Sequence, residues 1–298
     1  MTIRWLLAAT ATLVLCAGAV AQDNPESGAT PAPGQAEKWP PEVPGVTWTS
    51  GPAVGKLRDL AEVKIPAGWT FTDGDGTRKL LQLMGNLVGT SEAGSVYPGS
   101  FDWFAVFEFD ASGYVKDEEK SSLDADEILE AKREANKRGN EERARLGLPA
   151  MELLGWDVKP HYDERTHNLE WSIRLKSADS PVETLNYEVR LLGRRGVMQV
   201  SLVADPAVMP TALLQFRGLL ADYTFMAGQD YGSYRAGDKV AEYGLTALVT
   251  GGAVALAAKS GILAKFWKFI VVGIAAIGAA LKRVFSGRQP AQGPGRNR

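Results

Sequence analysis

The chain has 298 residues, 45% of them hydrophobic and 23% charged, a composition that excludes disorder throughout and holds one large domain or two small ones. Its net charge of −2 conceals an asymmetry: all 35 acidic residues lie between Gln22 and Ala258 beside 24 basic ones, a balance of −11, while eight Lys and Arg and no acid follow Ala258. An acidic body argues against nucleic acid as its partner, and a basic end suits anionic lipid.

In chain order, Arg4, the apolar run Trp5 to Val20 and the small residues Ala19-Val20-Ala21 read as a secretory signal over residues 1–21, cleaved after Ala21. The single cysteine, Cys16, falls inside it. The mature chain then has no thiol, which rules out disulfides, thiolate catalysis and Cys-based metal sites. Residues 22–45 are rich in Pro, Ala and Gly and read as a linker, with Trp39 and Trp48 as residues that would dock it.

The folded body is expected over 46–228. Glu62 to Ile65 reads as a strand, turned by Pro66-Ala67-Gly68 into Trp69-Thr70-Phe71. Asp73-Gly74-Asp75-Gly76 precedes a helix from about Thr77, with Leu80, Met84 and Leu87 on one face. Two aspartates at alternate positions suggest a calcium loop, but the twelfth position is Met84 instead of the required Glu, so Asp73 reads as a helix cap. Phe101 to Phe109 is apolar on both faces, as a central strand would be. Ser121 to Gly147 is a highly charged helix with Asp124 and Glu127 in a capping-box arrangement. Its apolar stripe is thin (Ile128, Leu129, Ala135), so most of it is expected to face water.

Three alternating strands follow. Leu169, Trp171, Ile173 and Leu175 oppose Glu170, Ser172 and Arg174; Leu185, Tyr187, Val189 and Leu191 oppose Asn186, Glu188 and Arg190. Gly193-Arg194-Arg195-Gly196 turns into Val197 to Val203. The pattern predicts an antiparallel meander with one buried face. A helix from Pro210 to Ala221 and a short strand Tyr223-Thr224-Phe225 complete the body.

Residues 229–242 read as a polar connector to an apolar membrane tract, 243–281. Within it, Ile262 to Leu281 is 20 residues interrupted only by Lys265 and Lys268. As a helix it is about 30 Å long, the thickness of a bilayer core. Tyr243 to Ala258 is a shorter run of about 24 Å, readable as a hairpin arm, an interfacial helix or a packing surface. The tail 282–298 is basic and expected inside the cell. The fold class expected is α+β: an antiparallel β-sheet flanked by helices, followed by a C-terminal transmembrane helix. The address expected is the bacterial inner membrane, with the main domain in the periplasm and membrane lipid as a partner.

Chemistry is sparse. The two histidines, His161 and His167, share one polar stretch with Asp163 and Glu164 and offer ligands for a divalent metal, yet their spacing matches no standard zinc motif. The competing reading is a polar turn whose side chains cap backbone groups. A triad drawn from Ser172, His167 and Asp163 lacks the Gly-x-Ser-x-Gly elbow. Arg194 and Arg195 at a hairpin tip are candidate anion contacts, against the plainer reading of solvated arginines. No dinucleotide fingerprint or phosphate loop is present. Neither a metal nor another cofactor is therefore expected.

Several phrases carry a resemblance: Val63-Lys64-Ile65-Pro66-Ala67-Gly68-Trp69, Asp102 to Glu108, Gly113-Tyr114-Val115-Lys116-Asp117, Gly155-Trp156, Pro160 to Asp163, Thr166 to Trp171, Leu191 to Met198, and Gly237-Asp238-Lys239-Val240-Ala241. Together they resemble the bacterial family of predicted membrane-anchored proteins known as domain of unknown function 2167, from about residue 46 to the membrane tract. The resemblance implies an envelope protein of this layout and no catalytic residues. The expected function is a non-catalytic binding or assembly module of the envelope, with another envelope protein as a further partner. The alternative is a metal-dependent or hydrolytic enzyme centred on His161, Asp163 and His167.

Overall fold

The structure, a computed structural model, describes residues 40–250. The expected signal segment, most of the linker, the apolar tract beyond Thr250 with Ile262 to Leu281, and the basic tail all lie outside the described residues. The chain divides into two units at residue 252, and the described residues belong to the first.

Among the described residues, eight strands make one antiparallel sheet: β1 (Thr49–Ser50), β4 (Thr70–Asp73), β5 (Glu92–Tyr97), β6 (Trp103–Asp110), β7 (Met151–Asp163), β8 (Asn168–Ser177), β9 (Glu183–Leu192) and β10 (Val197–Ala204). Their spatial order is β1-β4-β5-β6-β10-β9-β8-β7. A smaller sheet holds β2 (Ala53–Leu57), β3 (Ala61–Ile65) and β11 (Tyr223–Phe225) in the order β11-β3-β2. The helices are α1 (Gly74–Leu83), α2 (Ala125–Arg145), α3 (Met209–Ala221) and α4 (Leu245–Thr250). The α+β class with an antiparallel sheet and flanking helices stands. No helix among the described residues is long and apolar enough to cross a membrane.

Local chemistry explains the helix starts. Asp73 caps α1 by accepting from the Gly76 N–H at 2.9 Å, and Asp124 caps α2 by accepting from the Asp126 and Glu127 N–H groups, each at 3.0 Å. The cap at Asp73 starts α1 three residues before the expected Thr77.

The large sheet is covered on both faces. On the first face, Trp103, Ala105 and Phe107 of β6 join Tyr187, Val189, Met198, Val200 and Leu202 in one cluster with Val63 and Ile65 of the small sheet and Phe216 of α3. On the second, α1 covers Tyr97, Phe104, Val106 and Val203, while Ile128 of α2 and Leu245, Leu248 and Val249 of α4 cluster with Leu169, Trp171 and Ile173.

The register corrects the expectation of one buried face. Trp171 lies opposite Glu188, Leu169 opposite Arg190 and Ile173 opposite Asn186. Directly opposed residues share a face. The apolar residues of β8 and those of β9 therefore point to opposite sides, and Asn186, Glu188 and Arg190 lie inside the second face instead of in water. Helix α2 faces water over most of its surface, as expected, but the few positions it buries are largely polar. Ile128, Lys132 and Arg143 are its buried residues, and Asn136 and Asn140 each donate to the Met151 carbonyl at 2.8 Å. The stripe that meets the body is mostly polar, and so invisible to a search for apolar periodicity.

Residues 229–250, expected as a connector and the start of the membrane tract, are bound to the unit. The Tyr114 N–H donates to the Lys239 carbonyl and the Ala241 N–H to the Tyr114 carbonyl, both at 2.8 Å. Gly113 is required there: its φ is +103°, and a Cβ would lie 2.6 Å from the Lys239 oxygen. α4 then buries Leu245, Leu248 and Val249.

Candidate functional site

The sequence-selected residues fall into three places. His161 sits in strand β7, exposed, opposite Glu170, with its Nδ1 3.2 Å from the Lys159 carbonyl. Asp163 accepts from the Arg165 N–H at 2.8 Å and the Thr166 N–H at 3.4 Å, so its carboxylate closes the β7–β8 turn. His167 ends that turn at φ +55°; its Nδ1 lies 3.0 Å from the Tyr162 hydroxyl and its ring 4.9 Å from that of Tyr231. Glu170 shares a face with Tyr187, whereas Tyr162 packs against the Trp171 cluster, so the two histidines serve opposite faces. Among the described residues no group of three or more His, Cys, Asp or Glu side chains is placed to hold a metal. Ser172 is buried beneath the first face, opposite Tyr187.

His167 belongs instead to an aromatic shelf. Tyr114 stacks on Tyr231 at 4.5 Å and meets Tyr234 at 4.3 Å, and Tyr162 donates from its hydroxyl to Asp117 at 3.1 Å. Tyr234 is 40% exposed. Burial and the nearby Asp117 carboxylate push the Tyr162 phenol above its ordinary range, so it stays a neutral donor.

Arg194 and Arg195 part company at the hairpin tip. Arg195 is exposed. Arg194 grips Asp238 with Nε at 2.7 Å and Nη2 at 2.8 Å, a bidentate pair that holds the Asp238 carboxyl down to about 2. The anion that Arg194 contacts is thus a carboxylate of its own chain, and the grip fastens the 229–241 segment to the body.

The groups with the most unusual surroundings lie between the two apolar patches of the second face, in a seam of buried charge. Glu188 and Arg190 of β9 pair at 2.9 Å with side chains 1% and 2% exposed. Ser201 of β10 adds a hydroxyl to the same Glu188 oxygen at 3.0 Å. The Arg190 guanidinium lies 4.6 Å from the centre of the Trp171 ring, and the Lys132 ammonium of α2 lies 5.4 Å from it. Lys132 also donates to the Val249 carbonyl of α4 at 2.8 Å. Across β10, Glu108 accepts from Ser91 at 2.8 Å and stands directly opposite Glu92, whose carboxylate is held by Arg78 at 3.2 Å and by the Gly89 N–H at 2.7 Å.

Burial pushes the Glu108 carboxyl up to about 7; Ser91 opposes and Glu92 adds to the rise. Burial likewise pulls the Lys132 amine down to about 8, against the attraction of Glu188 and with a further push from Arg190. Two groups of opposite type, a carboxyl protonated near neutrality and an amine that gives up its proton just above it, thus face one ion pair. Strong shifts gathered in one place mark a candidate functional site. Within the seam, the Glu188 Oε1, Arg190 Nε and Trp171 Nε1 atoms are buried without a hydrogen-bond partner.

Sequence reading missed this seam because alternation placed Glu188 and Arg190 on a solvent face and Lys132 on a solvated helix. One signal was present. A strand as apolar on both sides as Phe101 to Phe109 needs cover on both faces, and so do its neighbours in the sheet.

A family model described as protein of unknown function (DUF2167) matches residues 50–282. The chain belongs to that family. Its phrases map onto the geometry above: 113–117, 191–198 and 237–241 meet where Tyr114, Arg194 and Asp238 join the body to the segment before α4. No curated protein matches. Among solved structures the chain is similar to cyanobacterial PsbP from Synechocystis sp. PCC 6803, at 11% identity over 62% of this chain and 95% of that one, with a TM-score of 0.35. It is also similar to the Ran-binding protein Mog1p from Saccharomyces cerevisiae, at 11% identity over 64% of this chain and 98% of that one, with a TM-score of 0.30.

Proposed function

We propose that this protein is a membrane-anchored extracytoplasmic module that binds or assembles another envelope component without catalysis. In this reading it sits in the bacterial inner membrane through Ile262 to Leu281, with its α+β unit in the periplasm. The observation that carries the reading is the docking of α4. Leu245, Leu248 and Val249 are buried with Ile128 and Trp171, so the front of the apolar tract belongs to the folded unit. That favours one crossing over a hairpin, whose first arm would have to leave the core. Tyr231 and Tyr234 of the shelf precede the apolar tract in sequence, and tyrosine is a residue of interfaces because it joins a large apolar ring to a polar tip. Nucleic acid does not fit so acidic a body.

A reporter fused after Arg298 tests the topology: activity characteristic of the cytoplasm supports one crossing, and activity outside refutes it. A photo-crosslinking residue at Tyr234 tests the binding surface in cells. Adducts with one discrete envelope protein, absent when the probe replaces exposed Lys137 on α2, support the module. Equal labelling from both positions refutes the shelf as its interface.

A further inference from the structure

The seam runs from a protonatable carboxyl, Glu108, to the contact that holds α4. Glu108 sits one strand away from Arg190: Gln199 of β10 lies opposite both. Two strand spacings put their Cα atoms about 10 Å apart, a gap that a glutamate and an arginine reaching toward each other can close. Arg190 stacks on Trp171, Lys132 lies over the same ring, and the Lys132 ammonium holds the Val249 carbonyl of α4. The Arg190 Nε carries no partner while its Nη1 holds Glu188, so the guanidinium has a free donor for a second acceptor. Three carboxylates, Glu92, Glu108 and Glu188, share this face with Arg190 and Lys132 and with Arg78, which is held at the α1 end. At the other end Tyr243 donates to Asp110, one alternation beyond Glu108 on β6.

We infer that Glu108 is a proton-operated switch for the cover of the second face: on ionising it draws Arg190 away from Glu188 and Trp171, and this loosens the hold of α2 and α4 on the sheet. The physical reason is charge balance. With Glu108 neutral, Arg190 has one carboxylate to serve, Glu188. With Glu108 ionised, a third buried negative charge appears directly opposite Glu92, and Arg190, across β10 from Glu108, is the buried guanidinium whose charge acts on it. Its displacement leaves Lys132 as the cation that faces Glu188, and the ammonium, freed from the repulsion of Arg190, is drawn toward that carboxylate, so the bond from Lys132 to Val249 weakens. Burial supports the operating range, since the Glu108 carboxyl is pushed up to about 7 and titrates near neutrality. The inference rests on the contacts of the folded unit and not on the proposed anchoring. Failure of the topology test therefore leaves it standing.

Hydrogen–deuterium exchange of the full chain in detergent tests it, with rates corrected for the intrinsic effect of pH. Between pH 6 and pH 8, peptides covering 245–250 should lose protection by about tenfold, and in Glu108→Gln that loss should vanish while protection stays at its pH 6 level. Unchanged protection in the parent, or the same loss in Glu108→Gln, overturns the inference. If Glu108→Gln fails to fold, which loss of protection in β6 and β10 would reveal, the parent decides alone. Its infrared band from a protonated carboxylic acid should disappear near neutral pH in step with the loss of protection at 245–250. Disappearance in the ordinary carboxylate range, or out of step with α4, overturns it.

Discussion

The two faces of the large sheet solve the same burial problem in different materials. The first is closed by Phe216 of α3 and the small sheet against Trp103, Phe107, Val189 and Val200, and of the sheet's buried polar side chains it holds Ser172. The second has apolar patches at its two ends and between them Glu92, Glu108, Glu188, Arg190, Ser201 and Lys132, all buried. Apolar burial needs only shape, whereas buried charge needs partners in place, and several seam atoms have none. The first face is therefore built for stability. The second holds groups whose protonation can change, and it lies under α4, at the front of the apolar tract.

Substitutions can break this contrast, and the largest effects come first. Arg190→Met should cost roughly 3–5 kcal/mol, because it strands the Glu188 carboxylate in the interior. Adding Glu188→Leu should recover most of that loss, since removing both members of a buried pair is often near neutral. On the first face Phe216→Ala should cost a similar 3–5 kcal/mol, through the cavity it leaves, with no second substitution of a charged group that rescues it. Urea unfolding of all three variants checks the pattern. If the double variant is as unstable as Arg190→Met alone, the pair is not the unit that matters.

These predictions also measure how far the sequence could be read. Alternation in β8, β9 and β10 identified which residues share a side within each strand, because the side-chain period of a strand is 2. It did not say which sides of neighbouring strands coincide. That depends on register, and the register places Trp171 opposite Glu188. Strand β6 was legible as central, with both faces apolar, and Asp73 and Asp124 as caps, because those signals are local. Strand β7 was not legible. Its register shifts near Gly155, Val158 and His161 break the alternation, so His161 to His167 looked like a free polar loop. Lys132 and Arg143 were hidden in a helix whose inner stripe is polar. The grip of Arg194 on Asp238 joins residues 44 positions apart, and no local pattern contains it.

Smaller effects sharpen the comparison. Arg194→Ala should loosen the 229–241 segment, read as faster amide exchange there with little change in β9 and β10; unchanged exchange would mean that the grip is incidental. Asp73→Ala, which removes the cap of α1 on the second face, should cost about 1 kcal/mol in urea unfolding. A loss several times larger would mean that α1 holds more of that face than its apolar patch.

The most direct test of a charged, buried second face is unfolding free energy against pH for the parent chain and for Glu108→Gln. Between the ordinary carboxyl value of 4.5 and about 7, the unfolded chain has released the Glu108 proton and the folded chain still holds it. Stability contributed by that group therefore falls as pH rises through this window. At about 1.4 kcal/mol per pH unit the parent should lose about 3 kcal/mol relative to Glu108→Gln. Lys132 acts in the opposite sense above about 8, where the folded chain has lost a proton that the unfolded chain keeps up to 10.5, so stability rises again. The predicted result is a difference curve that drops by about 3 kcal/mol from pH 4.5 to 7 and is level thereafter. A difference curve that is flat across that window would contradict the account, because it would mean that Glu108 is solvated and the second face is not closed.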